Sequence, residues 1–83
     1  MLIQVLGLGH VKSDLTIEAI RQVLLEESIE MKVEKVTGCK NIASYGVHLT
    51  PSVIINGYVK CTGRMPTKEE VRGWITNTIE KIA

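Results

Sequence analysis

Of the side chains in this chain that could attack a substrate or titrate near neutral pH, the first to weigh are two thiols, Cys39 and Cys61, and two imidazoles, His10 and His48. A thiol reacts only as its thiolate, so its surroundings decide whether it is chemistry or packing. Cys39 follows the turn Thr37-Gly38 and opens a short helical stretch, 39–45. A helix N-terminus aimed at it would lower its pKa, and the plain alternative is a small residue after a glycine turn. Cys61 lies in the alternating run 58–62 and is expected to share a strand face with Val59 as a half-buried core thiol. Two imidazoles and a thiolate would suit zinc or copper, but no tight ligand spacing links them, so neither a metal nor any other cofactor is expected. Arg64 and Lys12 are single charges that could draw an anionic partner, although single charges usually stay solvated.

Composition excludes several classes. The 83 residues carry a formal charge of +1 with the signs interspersed, which is not the basic face of a nucleic-acid binder. No apolar run is long enough to span a bilayer. Residues 1–9 are apolar but have neither a basic lead nor a small-residue cleavage site, so no signal peptide is expected. Two cysteines some twenty positions apart do not make a disulfide framework, and the expected compartment is the cytoplasm, with thiols reduced. The chain reads as one domain, 1–83, whose core must be built from Leu, Ile and Val because Phe is absent.

The elements that position these groups read clearly. Leu2-Ile3-Gln4-Val5-Leu6 is a short, nearly continuous apolar strand of the kind found at a sheet centre. Gly7-Leu8-Gly9 breaks it, and a helix follows with Leu15, Ala19, Ile20, Val23 and Leu24 at helical spacing and Ser13 or Asp14 as cap. Gly-x-Gly after a first strand invites a dinucleotide reading, which fails because Lys12 stands where the third glycine belongs. Ile29, Met31 and Val33 alternate with Glu30, Lys32 and Glu34, as in an edge strand with one wet face. Gly46 is placed to end the 39–45 helix as its C′ residue.

Asn56-Gly57 is a type I′ hairpin signal between Val53-Ile54-Ile55 and the run 58–62. Thr50-Pro51 is a rigid entry to that hairpin, and by residue chemistry alone a trans Pro51 ending a loop is the expected form. Pro66 and the capping box Thr67-Lys68-Glu69-Glu70 open a last helix with an apolar stripe of Val71, Trp74, Ile75, Thr78, Ile79 and Ile82. The order is β-α-β-α-β-β-α. A parallel first pair and an antiparallel hairpin give an α/β, three-layer sandwich with a four-stranded mixed sheet in the order 2-1-3-4. In that sheet Cys39 and Cys61 sit at opposite edges, roughly 14 Å apart by strand spacing. A disulfide needs Cα atoms within about 7 Å, so the two are not expected to bond.

With strand, Gly-x-Gly and helix at the start, and Tyr45-Gly46-Val47-x-x-Thr50-Pro51-x-Val53-x-Ile55-Asn56-Gly57 followed by Gly63-Arg64-x-Pro66, the chain resembles the thioredoxin-like superfamily. More narrowly it is similar to the small, glutaredoxin-sized "redox-active disulfide" proteins. The resemblance covers nearly the whole chain. It implies a cis Pro51, with Thr50 offering its backbone to an extended peptide or a mixed-disulfide partner. It also implies that Cys-x-x-Cys chemistry belongs directly after Gly-x-Gly, at the positions held here by His10 and Ser13. An imidazole and a hydroxyl cannot perform dithiol exchange.

The expectation is therefore a thioredoxin-like domain with a degenerate, redox-inactive site that binds a peptide or protein partner through Gly9, His10, Ser13, Thr50 and Pro51, by backbone pairing. An alternative from the enzyme class is a monothiol thiol-disulfide oxidoreductase working through Cys61 or Cys39. A third is a small metal carrier using His10 and His48, which the family's geometry would bring together beside Pro51.

Overall fold

A computed structural model describes residues 2–7 and 11–82, with the side chains at 39–41, 81 and 82 outside that description. The elements are β1 (Leu2–Leu6), α1 (Val11–Glu26), β2 (Lys32–Val36), α2 (Cys39–Ser44), β3 (Ser52–Ile55), β4 (Tyr58–Thr62) and α3 (Lys68–Ile82). The sheet runs β2-β1-β3-β4, with β1 parallel to β2 and antiparallel to β3, and β3 antiparallel to β4. This is the α/β architecture that the order of elements dictates.

Alternation along β1 divides the interior in two. Ile3 and Val5 face α1 and α3 and join Ile17, Ile20, Val23, Val53, Ile55, Val71 and Ile75 in the larger cluster. Leu6 points the other way, onto Val36, Ile42, Val47 and Ile54 under the short α2. Ile3, Ile20 and Ile75 are fully shielded from solvent, and burying such a side chain contributes about 1.5–3 kcal/mol.

The hairpin is a type I′ turn: Asn56 has φ 50° and Gly57 φ 86°, the left-handed values that this turn demands. Asn56 also holds the start of β1, since Leu2 N–H donates to Asn56 Oδ1 at 2.9 Å and Asn56 N–H donates to the Leu2 carbonyl at 2.9 Å. Gly46, at φ 74°, ends α2 as its C′ residue and donates to the Ala43 carbonyl at 3.0 Å.

Three expectations need correction. The buried face of α1 is Ser13, Thr16, Ile17, Ile20, Val23 and Leu24, while Leu15 is exposed. The helix already begins at Val11, so Ser13 lies within its first turn and is buried rather than capping it. Cys61 and Val59 do not share a face. The register shifts between Val53 and Ile54, so Cys61 pairs with Val53 and Val59 with Ile54, on opposite sides of the sheet. A bulge of this kind breaks the period of two on which the expectation rested.

At the other end of the molecule, α3 is pinned to α1. Glu26 accepts from Lys68 Nζ and Arg72 Nη2, both at 2.8 Å, and Arg72 Nε donates to Glu27 at 2.8 Å. The Lys68 hydrogen bond is the main cause that lowers the Glu26 pKa.

The candidate site at the head of the first helix

The C-terminal end of β1, the first turn of α1 and the loop before β3 converge. Val11, Lys12, Thr50 and Pro51 line a shallow groove there. The Thr50–Pro51 peptide bond is cis, not the trans form that residue chemistry alone favours. Pro51 is buried and Thr50 half-buried.

A small polar cluster fixes this loop. The Ser52 hydroxyl donates to the Leu49 carbonyl at 2.6 Å, and the Thr62 hydroxyl lies 2.8 Å from Ser52 Oγ and 3.1 Å from the same carbonyl. Gly63 N–H donates to the Pro51 carbonyl at 2.9 Å, so β4 clamps the loop from outside. Thr50 is different: no hydrogen bond joins its backbone to another described residue. A half-exposed segment with unpaired peptide groups is a template for an added strand.

Ser13, next to the groove residues Val11 and Lys12 in the first turn of α1, is completely buried, and its Oγ finds no hydrogen-bond partner among the described residues. The other buried polar side chains of the described residues are satisfied: Thr16 donates to the Lys12 carbonyl at 2.7 Å, and Gln4 Nε2 donates to the Tyr45 hydroxyl at 2.7 Å. An orphaned buried hydroxyl costs about 1–3 kcal/mol, and alanine is a better helix former than serine. Ser13→Ala is therefore expected to raise the unfolding free energy by about 1 kcal/mol in urea denaturation. A loss of stability would show that the hydroxyl has a partner in solution.

The remaining candidates separate. His10 and Gly9 lie outside the described residues, as does the side chain of Cys39. His48 is exposed. Among the described residues, no group of three or more His, Cys, Asp or Glu is placed to hold a metal ion. Cys61 is a free, buried thiol whose Sγ contacts the Arg64 carbonyl at 3.7 Å. Burial pushes its pKa up, and the nearby Arg64 charge offsets only part of that. A protonated, shielded thiol is a weak nucleophile.

Arg64 is not a free cation either. Its guanidinium holds Glu70 in a fork, at 2.8 Å and 2.6 Å. Glu70 closes the capping box as well, with Thr67 N–H donating to its Oε1 and its own N–H donating to Thr67 Oγ1, both at 3.1 Å. The sequence marks the capping box, but its use as an anchor for Arg64 appears only once the turn at 63–66 is folded.

Arg64 first, then the Thr67 N–H, draw the Glu70 pKa from its ordinary 4.5 to about 2. A carboxylate more acidic folded than unfolded stabilises the fold above its unfolded pKa. That contribution is lost as pH falls through 4.5 towards about 2. Glu70→Gln is expected to show a smaller drop in Tm between pH 7 and pH 3 than the unsubstituted protein, read by thermal melts. Equal drops would mean that the fork does not hold in solution.

A strand, a helix whose first turn buries Ser13 and a cis-proline loop before a type I′ hairpin, on a 2-1-3-4 sheet between helices, define a thioredoxin-like α/β domain. The chain belongs to the thioredoxin-domain family, whose sequence model matches residues 1–76. It is 28% identical over 80 residues to a protein named thioredoxin from Methanocaldococcus jannaschii, covering 96% of this chain and 92% of that one. It is also 28% identical over 72 residues to a thioredoxin from Methanothermobacter thermautotrophicus, covering 87% of this chain and 94% of that protein. No helix of the described residues is long and apolar enough to cross a membrane.

Proposed function

We propose that residues 1–83 act as one thioredoxin-like domain that binds an extended segment of a protein partner along Thr50-Pro51 and does not exchange disulfides there. The observation that carries this reading is the backbone of Thr50, which pairs with no other described residue and lines the groove with Val11, Lys12 and Pro51. The family's reactive pair is replaced by His10 and Ser13. A hydroxyl neither forms a disulfide nor leaves as a thiolate, so the groove's recognition function survives without its redox step. The residues beside it suit an unfolded chain: Val11 and Leu49 are 72% and 61% exposed, giving apolar contacts on either side of the backbone template.

The rival reading, a monothiol oxidoreductase, loses its stronger candidate to the burial of Cys61. The experiment is a backbone amide NMR titration with a reduced, carboxymethylated unfolded protein, which offers extended segments and no thiols. Shifts confined to Val11, Lys12, Thr50 and Ser52 are the expected result. An unperturbed spectrum, or shifts elsewhere, would overturn the reading.

A further inference from the structure

The outer edge of β2 carries a second interaction surface, independent of the groove. β2 closes one side of the sheet, with β1 as its only strand neighbour among the described residues. Gly7 N–H donates to the Val36 carbonyl at 3.0 Å, which fixes the direction of every peptide group in the strand. In a parallel pair the inward-facing residues alternate, so Val36, Glu34 and Lys32 spend their backbone groups on β1. Val33 and Lys35 turn theirs outward, with nothing in the sheet to meet them.

We propose that this edge pairs antiparallel with the same strand of a second copy of this chain, across a two-fold axis at Val33. Only residues with outward peptide groups can form hydrogen-bonded pairs, so the axis must pass through a residue of β2 rather than between two. Centring on Lys32 sets Lys32 against the partner's Lys32, and centring on Glu34 sets two carboxylates together. Centring on Val33 sets Lys32 against the partner's Glu34, and Glu34 against the partner's Lys32. Those are non-hydrogen-bonded positions, where cross-strand side chains come closest.

Centring on Lys35 sets two lysines together and centring on Val36 brings no opposite charges face to face, so of the five residues of β2 only Val33 gives a register with complementary charges. Lys32 has no ion-pair partner among the described residues, and Glu34 has only a long 3.4 Å contact from Gln4 Nε2. Charges on an edge usually keep other strands away, but this alternation makes the edge complementary to itself. On the α1 side of the same edge, Leu24, Leu25, Ile29, Met31 and Val33 line an open groove, mostly apolar, that also takes in the charged Arg21, Glu30 and Lys32. Leu25 there is 77% exposed. Pairing at β2 would bring the partner's copy of these residues alongside and shield both.

Sedimentation velocity over a concentration series at low ionic strength tests this. The unsubstituted protein is expected to form a dimer that weakens with added salt. Lys32→Glu and Glu34→Lys each convert two attractive cross-strand pairs into two repulsive ones, and each is expected to raise the dimer dissociation constant at least tenfold. Mixing the two variants, or combining both substitutions in one chain, restores opposite charges in this register and is expected to restore the dimer. Circular dichroism controls for folding of each variant. A protein that stays monomeric up to millimolar concentration, a dimer indifferent to Lys32→Glu, or variants that fail to rescue one another would overturn the proposal.

Discussion

Gly7→Ala is expected to destabilise this protein by about 3 kcal/mol or more, the upper end of the range for overpacking a filled interior. A Cβ built at position 7 would lie 1.7 Å from Ser13 Oγ and 2.6 Å from Ser13 Cβ. The first of these atoms can swing away about χ1, but the second cannot move without its helix. Gly7 is itself anchored, because its N–H bonds to the Val36 carbonyl and continues the β1–β2 ladder. The strain must therefore part the first turn of α1 from the end of β1, in a small domain with a total stability of only about 5–15 kcal/mol.

The rescue pattern is specific. Ser13→Ala removes the hydroxyl but leaves the 2.6 Å contact, so Gly7→Ala/Ser13→Ala should regain little beyond the roughly 1 kcal/mol that Ser13→Ala gains by itself. Ser13→Gly removes the Cβ and should recover stability, less about 1 kcal/mol for a glycine within a helix. Urea unfolding of the three variants reads the result. If Gly7→Ala is as stable as the parent, or if both second substitutions rescue equally, strand and helix do not approach this closely in solution.

That contact explains where sequence reasoning fell short on α1. Hydrophobicity points to Leu15, yet the helix turns Ser13 and Thr16 inward beside Ile17 and Ile20. The first turn passes so near the backbone of β1 that only small side chains fit, and size outranks polarity there. The bulge in β4 was equally unreadable, because nothing in Tyr58-Val59-Lys60-Cys61-Thr62 marks the residue that drops out of register. Local signals fared better. Asn56-Gly57 needs two left-handed residues and has them, and Thr67 to Glu70 closes its box through neighbours three apart. The sheet order followed from the element order with a right-handed crossover. What remained hidden depends on contacts between residues far apart in the chain, such as the clamp of Ser52 and Thr62 on the Leu49 carbonyl.

The largest change in activity is expected from His10→Cys/Ser13→Cys. If the groove is a thioredoxin-like site that lacks only its sulfurs, returning both should turn a protein at background into one that accelerates dithiothreitol-driven insulin reduction at least tenfold. The reasoning starts at Ser13. Its side chain is buried in the first turn of α1, and the family resemblance sets the attacking thiol three positions earlier in the sequence, at position 10. A thiol before the helix gains from the N-terminal dipole, which lowers its pKa towards the thiolate that attacks. The second thiol, shielded at position 13, then displaces the first from the mixed disulfide, and dithiothreitol returns the electrons. Stability should not suffer at position 13, since a thiol tolerates burial without a partner better than a hydroxyl does. Ser13→Cys alone should stay inactive, because it restores the resolving group without the attacking one. A folded double variant that remains at background would show that the scaffold lost more than its thiols. Activity in the unsubstituted protein that vanishes in Cys61→Ser would show instead that the buried thiol opens to do the work.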